Sequence, residues 1–308
     1  MAEFTPMKFD RVSAARATLS AFDRVSPRLA GWLTYEMFCY PQWHPVAKTK
    51  QQGNSGQYRM FARAEQTVTT YRDRGRTRPV TIYRFAAAGD EPADGTPRRA
   101  VLLAHGWSSA AMFMTAFVEL LNRRGFDVVT FDMPAHGQSG RVKTNMVECA
   151  RAMQAVVEAT PDLHGIIAHS FGAAVVALVC EGGAPMSGPV RAPKKLATIS
   201  APNSFLHVTR SYGKALQISH GAQLDYERRL SDLFERKIDD LTCAGFLRGL
   251  PTDVLVMHCK DDADISFGQA HEFVQGLPSA KLQTFSGLGH RRVLYTPKVV
   301  RAAIEHMD

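Results

Sequence analysis

A serine, an aspartate and a histidine in the second half of this chain could together break an acyl bond. Ser170 stands between an apolar stretch typical of a strand and one typical of a helix. A serine hydroxyl is a weak nucleophile, so it needs a base, a group that orients the base, and donors for the oxyanion. His290 follows a predicted strand in a glycine-rich loop, and we expect it to be the base. The chain order Ser170, Asp262, His290 is one of the known orders of such a triad.

The acid that orients His290 has three candidates. Asp261, Asp262 and Asp264 all follow the predicted strand Val254–His258. We predict Asp262, because a carboxylate just past a late strand is well placed to hold an imidazole; Asp261 and Asp264 remain alternatives. The plainer alternatives are an acidic, solvated loop here and a serine that only caps the helix after it.

Backbone N–H groups beside Ser170 would bind the oxyanion. One would come from Phe171, the residue after the nucleophile, and the other from Trp107, in the loop after the first strong strand. The Trp107 indole could also form a wall of an acyl pocket. The residues that we predict to line the substrate pocket are Trp107, His169, Met133, Phe205 and Tyr212.

The elements that must position these residues are short apolar strands alternating with amphipathic segments. This alternation predicts an α/β fold with a mostly parallel central sheet and helices on both faces. Ligands of such sheets bind beyond the carboxyl ends of the strands, where the candidate residues stand. Two earlier strands, Gln66–Arg72 and Val80–Ala86, would form an antiparallel edge. The other predicted strands are Val101–His105, Val128–Asp132, Gly165–His169, Leu196–Ser200, Val254–His258 and Lys281–Phe285.

Helices are predicted between these strands, and an insertion interrupts them. Residues 203–250 carry apolar residues at helical spacing, which predicts a helical cap inserted between two late strands. Residues 61–202 and 251–308 would form the core. Residues 1–60 would form a helical and irregular segment that packs on the core, with a helix that starts at Ser26-Pro27. An arm that binds a partner is the alternative for this segment. The helices predicted in the core are Ala111–Arg124, Asn145–Thr160, Phe171–Cys180, Phe267–Gln275 and Pro297–Met307.

Composition limits the possible classes of protein. A content of 45% hydrophobic and 21% charged residues is that of an ordinary soluble globular protein. No apolar run approaches a membrane-spanning length and the N-terminus lacks the apolar core of a secretory signal, so we expect a cytoplasmic protein without stable membrane insertion. Five singly placed cysteines indicate neither a disulfide framework nor a zinc site, and we expect no metal and no cofactor.

The net charge of +8 is concentrated in residues 1–100, which hold 16 Lys and Arg against 9 Asp and Glu. The basic run Arg72–Arg78 is most simply a solvated turn between two strands. Contact of this run with nucleic acid or an anionic membrane is the alternative. We predict a small-molecule substrate and no nucleic-acid partner, and the oligomeric state stays open.

Five segments in order carry a family resemblance: His105–Trp107, Phe131–Ser139, Ala168–Gly172, Lys260–Asp264 and Gly289-His290. Together they resemble successive motifs of the α/β-hydrolase superfamily, and most closely those of bacterial hydrolases of carboxylesterase type. They extend from the first strong strand almost to the end of the chain.

The resemblance implies the α/β-hydrolase fold and a Ser-His-Asp mechanism that needs no cofactor. It also implies that Asp132 and His136 are scaffold residues at the border of the site. Ala168 and Cys259 depart from the glycines that are usual at their positions. A serine at position 170, where haloalkane dehalogenases and epoxide hydrolases have a carboxylate, argues against their chemistry.

The residues and the resemblance together predict a serine hydrolase that cleaves carboxylic esters through an acyl-enzyme. Thioesters, lactones, carbon–carbon bonds of diketones and N-terminal peptide bonds are cleaved with the same triad and remain alternatives. The alternative from another class is a catalytically idle hydrolase fold that binds a ligand or a partner.

Overall fold

The computed structural model describes residues 9–41, 56–87, 95–186, 188 and 192–308. Their contacts group into two compact units. One unit contains residues 9–40 and Ser204–Leu241, and the other contains the rest of the described chain. Parts of the predicted N-terminal segment, residues 1–8 and 42–55, lie outside the described residues, and its packing on the core remains a prediction.

The larger unit is built on a single eight-stranded sheet. The strands are β1 Glu65–Asp73, β2 Arg76–Phe85, β3 Ala100–Ala104, β4 Asp127–Phe131, β5 Leu163–His169, β6 Lys195–Ile199, β7 Asp253–Cys259 and β8 Lys281–Phe285. Their order is β1-β2-β4-β3-β5-β6-β7-β8. The first two strands pair antiparallel with each other, and β2 pairs antiparallel with β4. The remaining pairs are parallel, so the predicted mostly parallel sheet with an antiparallel edge is confirmed.

Helices separate most of the strands along the chain. They are α1 Phe9–Val25, α2 Pro27–Phe38, α3 Gly56–Phe61, α4 Val118–Arg123, α5 Met146–Glu158, α6 Phe171–Glu181, α7 Phe205–Leu216, α8 His220–Phe234, α9 Cys243–Leu247, α10 Phe267–Gly276, α11 Gly289–Arg292 and α12 Pro297–Met307. The helices predicted between β6 and β7 are present as α7, α8 and α9. Within the described ranges, no helix combines the length and the apolar character that crossing a membrane requires.

The helix predicted over Ala111–Arg124 differs in its first half. Residues Ala111–Phe117 form a 3-10 helix, and only α4 is an α-helix. Ala111, Met114 and Phe117 recur at intervals of three and are all buried. A 3-10 helix has three residues per turn, so this spacing directs all three side chains into the core.

The core of the larger unit surrounds the central strands. Every residue of β3, β4 and β5 is buried, as expected for parallel strands that are covered on both faces. Almost all of α6 is buried too, which agrees with its uninterrupted run of alanine and valine. Burial of this kind holds the carboxyl ends of β3 and β5 and the start of α6 in fixed relation.

Within the described residues, the smaller unit consists of four α-helices, α1, α2, α7 and α8, and the 3-10 helix Ile238–Asp240. The helix start predicted at Ser26-Pro27 is where α2 begins. This helix packs closely on α8, because a Cβ at Gly31 would lie 2.7 Å from the carbonyl oxygen of Ala222. Residues Ser219 and Ser204 cap α8 and α7 by accepting backbone N–H bonds. The unit therefore has its own packing and its own helix signals.

Candidate active site

Ser170 lies on the sharp turn between β5 and α6. Its φ of 51° and ψ of −122° are outside the conformations that an L-residue adopts readily. A Cβ at Gly172 would come within 2.5 Å of the carbonyl oxygen of His105, so glycine is required for this approach. Ala168 is fully buried and pairs with Ala104 and Thr198 on the two flanking strands. The turn therefore accommodates a methyl group where the usual motif has glycine.

His290 connects Ser170 with Asp262. Its Nε2 lies 3.0 Å from the Ser170 Oγ, and its Nδ1 lies 2.8 Å from the Asp262 Oδ2. An ionised carboxylate only accepts hydrogen bonds, so we assign the ring proton to Nδ1. Nε2 is then free to accept the serine proton. The three side chains come from the ends of β5, β7 and β8, which are separated widely in sequence.

The carboxylate of Asp262 is held by its own turn. Its Oδ1 accepts N–H bonds from Asp264 at 3.0 Å and Ile265 at 2.9 Å. The His258 Nε2 donates in turn to the carbonyl oxygen of Ile265 at 2.9 Å. Burial alone would raise the pKa of Asp262, but the hydrogen bond and charge of His290 and the Ile265 N–H hold that pKa below its usual value. The carboxylate is therefore ionised when His290 needs a partner.

The three acidic residues that the sequence offered have different places. Asp262 contacts the His290 ring, whereas Asp264 supplies a backbone N–H to Asp262. Asp261 accepts the N–H groups of Gly287 at 2.6 Å and Gly289 at 3.1 Å. The sequence could not separate these roles, because adjacent residues in a turn point in different directions.

The loop after β3 is locked beside Ser170. The His105 Nδ1 donates to the carbonyl oxygen of Gly106 at 2.8 Å, and its Nε2 accepts the N–H of Met133 at 3.0 Å. Burial lowers the pKa of His105 to about 4, which keeps the ring neutral in this double role. A Cβ at Gly106 would lie 3.2 Å from the Ser170 Cβ, so the loop backbone passes close to that side chain.

This loop brings Trp107 next to Phe171, the two residues predicted to supply oxyanion donors. Their rings meet edge to face with centroids 4.9 Å apart. The Trp107 indole also lies edge-on to His136 at 5.0 Å. Phe171 is the first residue of α6, where backbone N–H groups have no partner within the helix and can bind an anion.

Asp132 and His136 have structural roles in the neighbouring loop. Asp132 accepts the N–H of Ala111 and the N–H of Gln138, both at 2.8 Å, and so ties the loop after β3 to the loop after β4. His136 donates from Nδ1 to the carbonyl oxygen of Pro134 at 2.9 Å. A Cβ at Gly137 would fall 2.0 Å from the Asp132 Cγ, which explains the glycine after His136.

Three of the five predicted pocket residues lie in the larger unit. His169 donates from Nε2 to the backbone carbonyl oxygen of His290 at 3.0 Å, and the two rings lie 4.8 Å apart. Burial, followed by the charge of His290, lowers the pKa of His169 to about 3. Met133 is buried in the loop that His105 holds.

Phe205 and Tyr212 belong to the smaller unit. The Phe205 ring packs on Phe234, and the Tyr212 ring packs on Phe38 and Tyr226. Contact of any of the five predicted pocket residues with substrate stays a prediction.

Sequence reasoning left His105, His258 and Cys259 without a function. The Cys259 Sγ donates to Asp261 at 3.0 Å and accepts the N–H of Leu288 at 3.4 Å. The available signal was position: each of the three stands at the carboxyl end of a predicted strand, next to a predicted site segment. Among the residues that the structure describes, no three His, Cys, Asp or Glu side chains are grouped as a metal site would require.

Known proteins share this fold. The model of the alpha/beta hydrolase family matches residues 101–303, which is more than half of the chain. An esterase of Pyrococcus furiosus superposes with a TM-score of 0.58 at 17% identity, covering 87% of this chain and 96% of the other. A thermophilic esterase of Thermogutta terrifontis with propionate bound gives 0.58 at 15% identity, covering 78% and 92%.

A thioesterase domain from the curacin biosynthetic pathway is also similar, with a TM-score of 0.54 at 12% identity, covering 79% of this chain and 99% of the domain. No curated protein matches the sequence. At these identities the solved structures show the shared fold, whereas the family model matches the sequence itself. The chain belongs to the alpha/beta hydrolase family.

Proposed function

We propose that this protein is a serine hydrolase that cleaves carboxylic esters of small molecules through an acyl-enzyme. The observation that carries the proposal is the continuous hydrogen-bonded path from Asp262 through His290 to the Ser170 Oγ, with links of 2.8 Å and 3.0 Å. The strained backbone at Ser170 adds support, because such strain is found where the position of a nucleophile matters.

The reaction would proceed in two halves. The Ser170 Oγ attacks the ester carbonyl carbon while the His290 Nε2 takes the hydroxyl proton. The N–H groups of Phe171 and Trp107 would stabilise the oxyanion, and His290 then gives its proton to the departing alcohol. Water, activated by the same imidazole, attacks the acyl-enzyme, and the acid is released as Ser170 recovers its proton.

Asp262 would act without giving up its charge. It fixes the His290 tautomer and stabilises the imidazolium that forms in each half. Its low pKa suits this role, because a carboxylate that stays ionised keeps its attraction for the imidazolium.

The choice of esters rests on similarity to the Pyrococcus furiosus and Thermogutta terrifontis esterases. Similarity to the curacin-pathway thioesterase domain favours thioesters as the second candidate, with the same triad. A cytoplasmic location and a small-molecule substrate are part of the proposal.

A fluorophosphonate probe tests the nucleophile. We expect the probe to label the wild-type protein and to leave Ser170→Ala unlabelled, since only an activated serine attacks the phosphorus. An unlabelled wild type, or labelling of Ser170→Ala as strong as that of the wild type, would contradict a serine hydrolase.

Two matched series then test the bond. The first series contains the p-nitrophenyl esters of acetate, butyrate, hexanoate and octanoate. The second contains the p-nitrophenyl thioesters of the same acids, so that sulfur replaces oxygen as the leaving atom. We expect larger kcat/KM for the esters. Negligible ester rates together with good thioester rates would replace the first candidate by the second.

A further inference from the structure

The loop that carries His290 is packed at Leu288, which lies against the hydrophobic core, but not at the glycines on either side of it. It begins after Phe285, the last residue of β8, and contains Gly287 and Gly289. Both glycines have positive φ, 76° and 63°, and an added Cβ at either would meet no atom within 4 Å. Glycines in open space allow many conformations, so the one that aligns His290 must be selected by other contacts.

Besides the His169 Nε2, which donates to the His290 carbonyl oxygen, those contacts come from the turn after β7. Asp261 accepts the N–H of Gly287 on Oδ1 at 2.6 Å and the N–H of Gly289 on Oδ2 at 3.1 Å. Between them, the N–H of Leu288 donates to the Cys259 Sγ at 3.4 Å. The Cys259 thiol donates its own proton to the Asp261 Oδ1 at 3.0 Å. Three successive N–H groups of the loop are thus bound by two side chains.

The loop carbonyls are held from the other direction. The Arg292 Nη2 donates to the Gly287 carbonyl oxygen at 3.1 Å, and its Nε donates to that of Leu288 at 3.3 Å. Arg292 is the last residue of α11, the single helical turn that also contains Gly289 and His290. The loop therefore has fixed partners on both its donors and its acceptors, although its glycines pack against nothing.

Resting on the proposed serine hydrolase function, we propose that Asp261, supported by the Cys259 thiol, is a positioning residue for His290. Asp262 binds the imidazole of His290, and the preceding carboxylate binds the backbone that carries it. One turn thus sets both the orientation and the location of the base.

The charge state of Asp261 supports this role. The Cys259 thiol, followed by the Gly287 N–H, lowers the pKa of Asp261 below its usual value. An ionised acceptor makes shorter and stronger hydrogen bonds than a neutral one. An amide at this position has one oxygen where the carboxylate has two, and alanine has none.

We expect both Asp261→Asn and Asp261→Ala to lower kcat for a p-nitrophenyl ester, with the larger loss in Asp261→Ala. The loss in Asp261→Ala should be about 100-fold relative to the wild type, since a misplacement near 1 Å has an effect of that size. KM and the denaturant midpoint of unfolding should stay close to wild type, because Asp261 is exposed and its replacement removes no packing.

Cys259→Ser should retain most activity, because a hydroxyl both donates and accepts hydrogen bonds, whereas Cys259→Ala should not. Glu305→Gln, which neutralises an exposed carboxylate of α12, is the matched control.

A spectroscopic measurement separates positioning from a general loss of structure. The Nδ1 proton of His290, hydrogen-bonded to Asp262, should give a downfield proton resonance in the wild type. We expect this resonance to broaden or disappear in Asp261→Ala and to persist in Glu305→Gln.

Two outcomes overturn the inference: kcat within twofold of wild type in both Asp261 variants, or a His290 resonance that is unchanged in Asp261→Ala. If the Ala variant fails to fold, Asp261→Asn alone decides, because it preserves size. The proposed function fails separately, through a wild type that fluorophosphonate does not label, and the resonance still tests whether Asp261 positions His290.

Discussion

At the scale of single residues, both carboxylate oxygens of Asp262 have hydrogen-bond partners. One oxygen accepts two backbone N–H groups and the other accepts the His290 Nδ1. His258 fixes Ile265, which supplies one of those N–H groups. This carboxylate is thus oriented by its own turn as well as by its contact with His290.

Asp262→Asn tests this role. Asparagine has the same shape, but its amide can donate to Nδ1 and favour the wrong tautomer of His290. We expect kcat to fall by about 10³–10⁴-fold while the unfolding midpoint changes little. Steady-state kinetics with a p-nitrophenyl ester measures the effect, and Asp239→Asn at an exposed carboxylate is the control. A loss below tenfold would mean that another group orients the imidazole.

At the scale of elements, the site depends on how closely α6 approaches the end of β3. Gly172 is the contact point, since its missing side chain leaves room for the carbonyl oxygens of Ala104 and His105. The same approach brings the Phe171 ring against the Trp107 indole in the loop after β3. Strand, turn and helix are therefore one geometric unit.

Gly172→Ala should disturb that unit. The added Cβ would lie 2.5 Å and 2.8 Å from two backbone oxygens, which cannot rotate away. We expect unfolding free energy to fall by about 1–3 kcal/mol and ester hydrolysis to drop with it, as in other overpacked sites.

Gly268→Ala in α10 is the matched control for Gly172→Ala. Its Cβ would meet only the Ser266 Oγ, at 3.8 Å. We expect its stability to be unchanged or raised by up to about 1 kcal/mol. Equal denaturation midpoints for the two variants would argue against the close approach.

At the scale of the whole molecule, several histidines are buried in the neutral form. Burial lowers the pKa of His105 to about 4 and, together with neighbouring histidines, the pKa values of His136 and His169 to about 3. Burial also lowers the pKa of His258. On unfolding, each ring would regain an ordinary pKa near 6.5.

The free energy of unfolding should therefore decrease as the pH is lowered below about 6.5. Between that value and the folded-state pKa values, the unfolded chain binds more protons than the folded chain, so protons favour unfolding. Each histidine contributes a slope of up to about 1.4 kcal/mol per pH unit. Denaturant unfolding at pH 7 and pH 5 measures the loss. His136→Asn keeps a donor for the Pro134 carbonyl oxygen without a titrating ring, so its slope should be smaller; an unchanged slope would contradict this account.

The sequence was sufficient for the fold, and it reduced the candidates for the carboxylate that orients His290 to three residues of one turn. Apolar strands alternating with helices require a buried parallel sheet, and the order of Ser170, Asp262 and His290 follows from which strands they terminate. These features are local in sequence, or depend on patterns that burial imposes on every strand.

Only the tertiary structure distinguished Asp261 from Asp262, and only it showed which groups His105, His258 and Cys259 bind. Asp261, His105 and Cys259 each bind a segment that is distant in sequence, through a hydrogen bond of defined direction. His258 binds the carbonyl oxygen of Ile265 within its own turn. Spacing along a chain fixes which residues end a strand, but side-chain direction within a turn is set by packing across strands. The sequence therefore determined which groups could react, and the fold decided which of them meet and which hold the others in place.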